Sequence, residues 1–137
     1  MATINKWDNR IRANIKTAVS PKCTNVVNYE SDLNAVFPCV WIHRISGRDT
    51  AVDLDNSDTG VTVGYQITVY TSGSTRKSMA NSIFDLAYDS MKKMGFVMEN
   101  YVELEGSSGA DKNSASVYQL YARFRRYIGS GEEIAKQ

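Results

Sequence analysis

The chain has 137 residues, with 16 basic against 15 acidic side chains and a formal charge of +1, a balance that argues against a dedicated nucleic-acid binder held on by phosphate neutralisation. Its 42% hydrophobic and 23% charged residues match an ordinary globular chain of one domain and indicate neither disorder nor a membrane protein. No apolar run approaches the roughly 18 residues of a membrane span.

The N-terminal stretch MATINKWDNRIRANIKTAVS lacks the apolar block of a secretory signal, so synthesis inside the cell is expected. Within it Ile4, Trp7, Ile11, Ile15 and Val19 recur every three or four residues, the pattern of a helix that buries one stripe and stops before Pro21. Residues Lys22 to Ala35 are polar and irregular, and no element is assigned there. Cys23 and Cys39, without a secretion signal, read as two reduced and partly buried thiols.

Val36 to Ile45 is dense in β-branched and aromatic residues and reads as a first strand, with Pro38 pushing it to a sheet edge or marking its start. Ser46 to Gly60 is rich in turn formers and reads as a polar loop. From Val61 to Thr71 the chain alternates: Val61, Val63, Tyr65, Ile67 and Val69 point to a core, and Thr62, Gln66, Thr68 and Tyr70 point away. Ser74 or Thr75 caps a helix whose apolar stripe is Met79, Ala80, Ile83, Ala87, Met91 and Met94, closed by Gly95. Phe96 to Glu105 reads as a third strand, with Phe96, Met98, Val102 and Leu104 on one face and Glu99, Glu103 and Glu105 on the other. Gly106 to Ser114 is a loop by composition.

The last strand, SVYQLYARFRRYIG from Ser116 to Gly129, sends Tyr118, Leu120, Ala122 and Phe124 to the core and Tyr121, Arg123, Arg125 and Tyr127 to the opposite side. The expected fold is α+β, a four-stranded mainly antiparallel sheet in the order α-β-β-α-β-β with two helices packed on one face. Residues 1–128 form the domain, and 129–137 form a mobile tail. A hairpin between the last two strands sets Glu99, Glu103 and Glu105 beside the arginines of the uncovered face.

Catalytic chemistry finds little purchase. His43 is the single candidate base for a nucleophile, and a packed or hydrogen-bonded structural histidine is the better reading. Asp53, Asp55 and Asp58 in DLDNSD resemble the start of a calcium loop, but Asp58 stands where the motif needs glycine and no glutamate closes it. TSGSTRKS lacks the spacing of a phosphate loop. Neither an enzyme nor a bound cofactor or metal is expected.

The run GYQITVYTSGSTRKSMANSIFDLAYDSMKKMGF, followed by the terminal strand YQLYARFRRYIG and preceded by the amphipathic helix, resembles the tail-terminator family of tailed bacteriophages, also called tail-completion or minor tail proteins. That resemblance implies a structural virion protein at the neck of the tail, made in the host cytoplasm. Its copies would close into a hexameric ring on the tail tube, halt polymerisation, meet the head-side connector and let DNA pass through the lumen without sequence-specific contact. Interface candidates are Arg123, Arg125, Tyr121, Tyr127 and Tyr70 on the uncovered face, and Arg48, Asp53, Asp55 and Asp58 in the first loop. Two other readings stand beside it: a different neck component, or a nucleic-acid-binding module that stacks and holds phosphates with Tyr121, Arg123, Arg125 and Tyr127.

Overall fold

The computed structural model describes residues 3–28, 37–52, 58–105, 117–129 and 132–137. The elements are α1 (Thr3–Val19), β1 (Val26–Val27), β2 (Cys39–Val52), β3 (Asp58–Ser72), α2 (Arg76–Lys93), β4 (Val97–Glu105) and β5 (Val117–Gly129). The fold is mixed α+β. The sheet has five strands, in the order β1-β2-β3-β5-β4, parallel between β1 and β2 and antiparallel elsewhere.

Two expectations need correction. The sheet has a fifth strand because Val26 and Val27 pair with Val40 and Trp41, a bridge begun by the Val40 amide donating to the Asn25 carbonyl at 2.9 Å. A two-residue strand has no periodicity to read. The loop expected from Ser46 to Gly60 is largely the two arms of a hairpin, with Arg48 opposite Thr62, Asp49 opposite Val61 and Val52 opposite Asp58. Main-chain groups make that ladder, and turn-forming side chains do not forbid it. Asp53, Asp55 and the loop from Gly106 to Ser114 lie outside the described residues.

Helix α1 buries Trp7, Ile11, Ile15 and Val19, each at 3% exposure or less, and ends as the Lys22 and Cys23 amides turn back to the Val19 carbonyl ahead of the strand. In α2 the buried line is Ala80, Ile83, Phe84, Ala87, Ser90 and Met91. Thr75 occupies the N-cap position, yet its hydroxyl makes no capping bond. The C-terminus is better built: the Gly95 amide donates to Lys92 and the Phe96 amide to Met91, with Gly95 at φ +85°. That paired closure requires a left-handed residue, which glycine adopts without strain. It also turns Phe96 into the core beside Met91.

Both helices lie on the same face of the sheet. Val61, Val63, Tyr65, Ile67 and Val69 of β3 and Tyr118, Leu120, Ala122 and Phe124 of β5 are all nearly inaccessible and join the helix stripes in one cluster. Aromatic edges tie the layers together: Tyr65 meets Phe96 at 5.9 Å, and Phe84 meets Tyr101 at 5.4 Å. One polar clamp fixes α1 to the sheet. The Tyr65 hydroxyl donates to Asp8 at 2.6 Å, Arg12 Nε donates to the other Asp8 oxygen at 2.9 Å, and Arg12 also reaches the Ile42 carbonyl at 2.7 Å. Burial and the Asp8 bond push the Tyr65 hydroxyl well above the ordinary tyrosine range. Among the described residues no helix is long and apolar enough to cross a membrane.

Residues 132–137, in the segment expected as a tail, make contacts with both helices. Trp7 Nε1 donates to the Glu132 carbonyl at 2.8 Å, Asn14 Nδ2 to the Ala135 carbonyl at 3.0 Å, and the Gln137 amide back to Asn14 Oδ1 at 3.0 Å. Ser90 Oγ donates to the Gln137 side chain at 2.6 Å, Glu132 pairs with Arg126, and Ile134 is buried. Asn14 and Ser90 are themselves 1% and 2% exposed, so the helices carry buried polar groups that this segment satisfies. Asn14→Ala is expected to lower unfolding free energy by about 0.5–1.5 kcal/mol, because the part-buried bonds to the Ala135 carbonyl and the Gln137 amide are lost. Urea denaturation measures it, and deletion of residues 132–137 should cost at least as much.

Candidate interaction face

Register defines the other side of the sheet row by row. Cys39, Tyr70, Gln119 and Leu104 form one row, and Trp41, Thr68, Tyr121 and Val102 the next. Then come His43, Gln66, Arg123 and Asn100, followed by Gly64, Arg125 and Val97, and finally Thr62 and Tyr127. No described helix covers this face. Arg123, Arg125 and Tyr127 are exposed on it, and Tyr121 and Tyr70 are half-buried.

The structure thus brings five of the candidate residues together on one face: Arg123, Arg125, Tyr121, Tyr127 and Tyr70. The main chain of Arg48 pairs with Thr62 in β2, and Asp58 begins β3 opposite Val52, so neither belongs to a loop.

The third strand departs from its expected alternation. A bulge between Met98 and Asn100 shifts the β4 register, so Tyr101 and Glu103 fall opposite Ala122 and Leu120 on the helix side, and the main chain of Glu105 pairs with Tyr118. Val102 and Leu104 pass to the open side, opposite Tyr121 and Gln119. One extra residue inverts every later position. Of the glutamates expected beside the arginines, Glu103 has left the face and Glu99 is there: Arg125 Nε meets its carboxylate at 2.9 Å, with the two side chains 59% and 41% exposed. A pair so wet contributes about 0–1 kcal/mol. Arg123 instead donates to Gln66 Oε1 at 3.2 Å, and Gln66 donates onward to Thr68 Oγ1 at 3.3 Å.

Two members of this face were not among the sequence candidates. Trp41 and His43 stack with ring centroids 4.9 Å apart and planes 7° from parallel. His43 is exposed, so the expected packed histidine is instead a surface ring lying on its neighbour. Val40 and Ile42 carry the buried parity of β2, and that alternation was the signal that Trp41 and His43 face the other way. Thr68, between Trp41 and Tyr121, is fully inaccessible. At the far end a shallow cleft of about 410 Å³ is lined by Thr62, Gly95, Val97, Arg125, Arg126 and Tyr127.

The chemistry of the face is therefore cationic and aromatic, without a nucleophile and base in bonding contact among the described residues. Cys39 lies at its upper end, opposite Tyr70. Burial pushes its thiol from 9.0 up to about 11, with Cys23 adding to the rise, and burial raises Cys23 as well. Comparison with family models finds no match to the chain, and comparison with curated proteins finds none either.

A thiol raised in the fold stabilises the native state below its ordinary pKa, and that contribution disappears as pH climbs through the folded one. For Cys39 the window runs from 9.0 to about 11, and thermal stability should fall across it. At about pH 8 both thiols should resist Ellman's reagent in the native protein and react promptly in denaturant. Thermal scans across the alkaline range and thiol counting check the two outcomes.

Proposed function

We propose that this chain is a structural subunit of a phage virion, a tail terminator whose copies close into a ring of six on the tail tube. In that role the ring ends tube growth and offers a docking surface to the head-side connector, while DNA passes through the lumen. The observation that supports the reading most directly is the one-sided sheet. Two helices and the segment 132–137 complete a core on one face, and the other face displays Trp41, His43, Tyr70, Tyr121, Arg123, Arg125 and Tyr127. Tyrosine, tryptophan and arginine are the residue types enriched at the centres of protein interfaces. A subunit that works by shape needs such surfaces and no catalytic group.

Light scattering on the purified protein tests the ring, with six chain masses expected and rings visible by electron microscopy. Arg123→Glu together with Arg125→Glu should abolish ring formation or tube capping while leaving the unfolding midpoint within a few degrees, because both side chains are exposed. Tube protein polymerised with the native chain should stop at defined lengths. Rings and capped tubes that survive both substitutions would overturn the role given to this face. Salt-sensitive binding of single-stranded oligonucleotides by a monomer would favour the nucleic-acid module instead.

A further inference from the structure

We infer that Asp85, Tyr101 and Glu103 form a receptor for an arginine, and that its occupant is Arg123 of a second copy of this chain. The inference deepens the ring reading and rests on it for closure alone.

Among the described residues Asp8 pairs with Arg12, Glu99 with Arg125 and Glu132 with Arg126. Asp85, Asp89 and Glu103 are exposed and have no such ion pair there. Two of these three converge. Tyr101 and Glu103 lie opposite Ala122 and Leu120 on the helix side of β4, and the Tyr101 ring meets Phe84 of α2 edge-on at 5.4 Å. Asp85 is the next residue of α2. The Tyr101 hydroxyl donates to Glu103 Oε1 at 3.1 Å. Burial, that bond and the charges of Glu103 and Asp85 push the hydroxyl above its ordinary value, so both carboxylates act on one phenol.

Tyr101 is 44% exposed, so the site is an open aromatic ring flanked by two carboxylates. A guanidinium suits it better than an ammonium. Its flat fork donates to a carboxylate through two N–H groups and lays its face on a ring.

The same chain carries a matching group. Arg123 is exposed, Gln66 Oε1 orients it at 3.2 Å, and no carboxylate pairs with it among the described residues. Its row holds His43, Gln66 and Asn100, and none of these is an acid. Arg10 is a weaker candidate, because Glu133 lines the same cleft beside it. The two patches also point apart: the receptor lies on the helix side of the sheet and Arg123 on the open side. One contact between two copies therefore leaves an unused arginine at one end and an unused receptor at the other. Such head-to-tail addition repeats until it closes into a ring or grows as an open row.

The test uses the full chain. Asp85→Arg with Glu103→Arg on the receptor, and Arg123→Glu on the open face, are each expected to weaken assembly by about tenfold or more in light scattering, with unchanged circular dichroism. Asp85→Asn with Glu103→Gln, which removes both charges and adds no bulk, should weaken it severalfold, and it serves where the reversed receptor does not fold. The two reversed variants mixed should regain assembly in alternation, because every joint then brings opposite charges together. Assembly that ignores the receptor changes, or that does not return on mixing, overturns the joint and leaves the ring to the capping assay. Open rows with the same charge dependence support the joint and overturn the closed ring. A chain that stays monomeric at millimolar concentration overturns the joint.

Discussion

Each helix has a single apolar stripe, and two such stripes can dry one side of a sheet of this width. That constraint organises the rest of the molecule. Alternate residues of β3 and β5 must be apolar where they share a core with Ile11, Ile15, Ile83 and Met91, and burying each large one contributes about 1.5–3 kcal/mol. The intervening residues escape that demand. Polar, aromatic and charged side chains collect there without loss of core, which is why Arg123 and Arg125 stay exposed while Arg126, on the helix side, needs Glu132 as a partner.

Dryness also has to be defended at the ends of the helices. Trp7, Asn14 and Ser90 carry polar atoms into positions with almost no access to water, and an unpaired group at such a site costs about 1–3 kcal/mol. The segment 132–137 supplies carbonyl, amide and side-chain partners to all three while Ile134 joins the core. The Asp8 clamp with Tyr65 and Arg12 performs the same service where α1 crosses the strands. Packing sets which face is inside, and these few bonds set where each helix sits on it.

Much of this was legible from residue order. The parity of β3 and β5, the stripe of α1 and the glycine stop of α2 are periodic signals repeated over many residues, and each placed its side chains as observed. The open-face positions of Tyr70, Tyr121, Arg123, Arg125 and Tyr127 followed from the same parity. What escaped is local or unpatterned. β1 is too short to have a period, the hairpin arms of β2 and β3 are built by main-chain bonds under turn-forming side chains, and the tail contacts depend on groups more than 100 positions apart. The bulge in β4 is the instructive case. Nothing in VMENYVELE marks Glu99 as an extra residue, yet that one insertion moved Glu103 to the helix side and brought Val102 and Leu104 to the open one.

The bulge changes the electrostatics of the open face as well. With three glutamates beside them, Arg123 and Arg125 would be neutralised within the subunit and the face would be a solvated charge network. With Glu103 gone from that side, Arg125 has the Glu99 carboxylate and Arg123 is held by the neutral Gln66. Covering Arg125 and Glu99 together removes two charges from water, and the desolvation penalty then offsets most of their attraction. Arg123 is different, because the Gln66 bond orients the guanidinium without cancelling its charge. A carboxylate arriving from another chain would find a preoriented cation between Tyr121 and Arg125, flanked across β3 by the exposed ring of His43. In the proposed role Arg123 would therefore be the position on this face where a partner gains most, because the neutral Gln66 holds it without cancelling its charge.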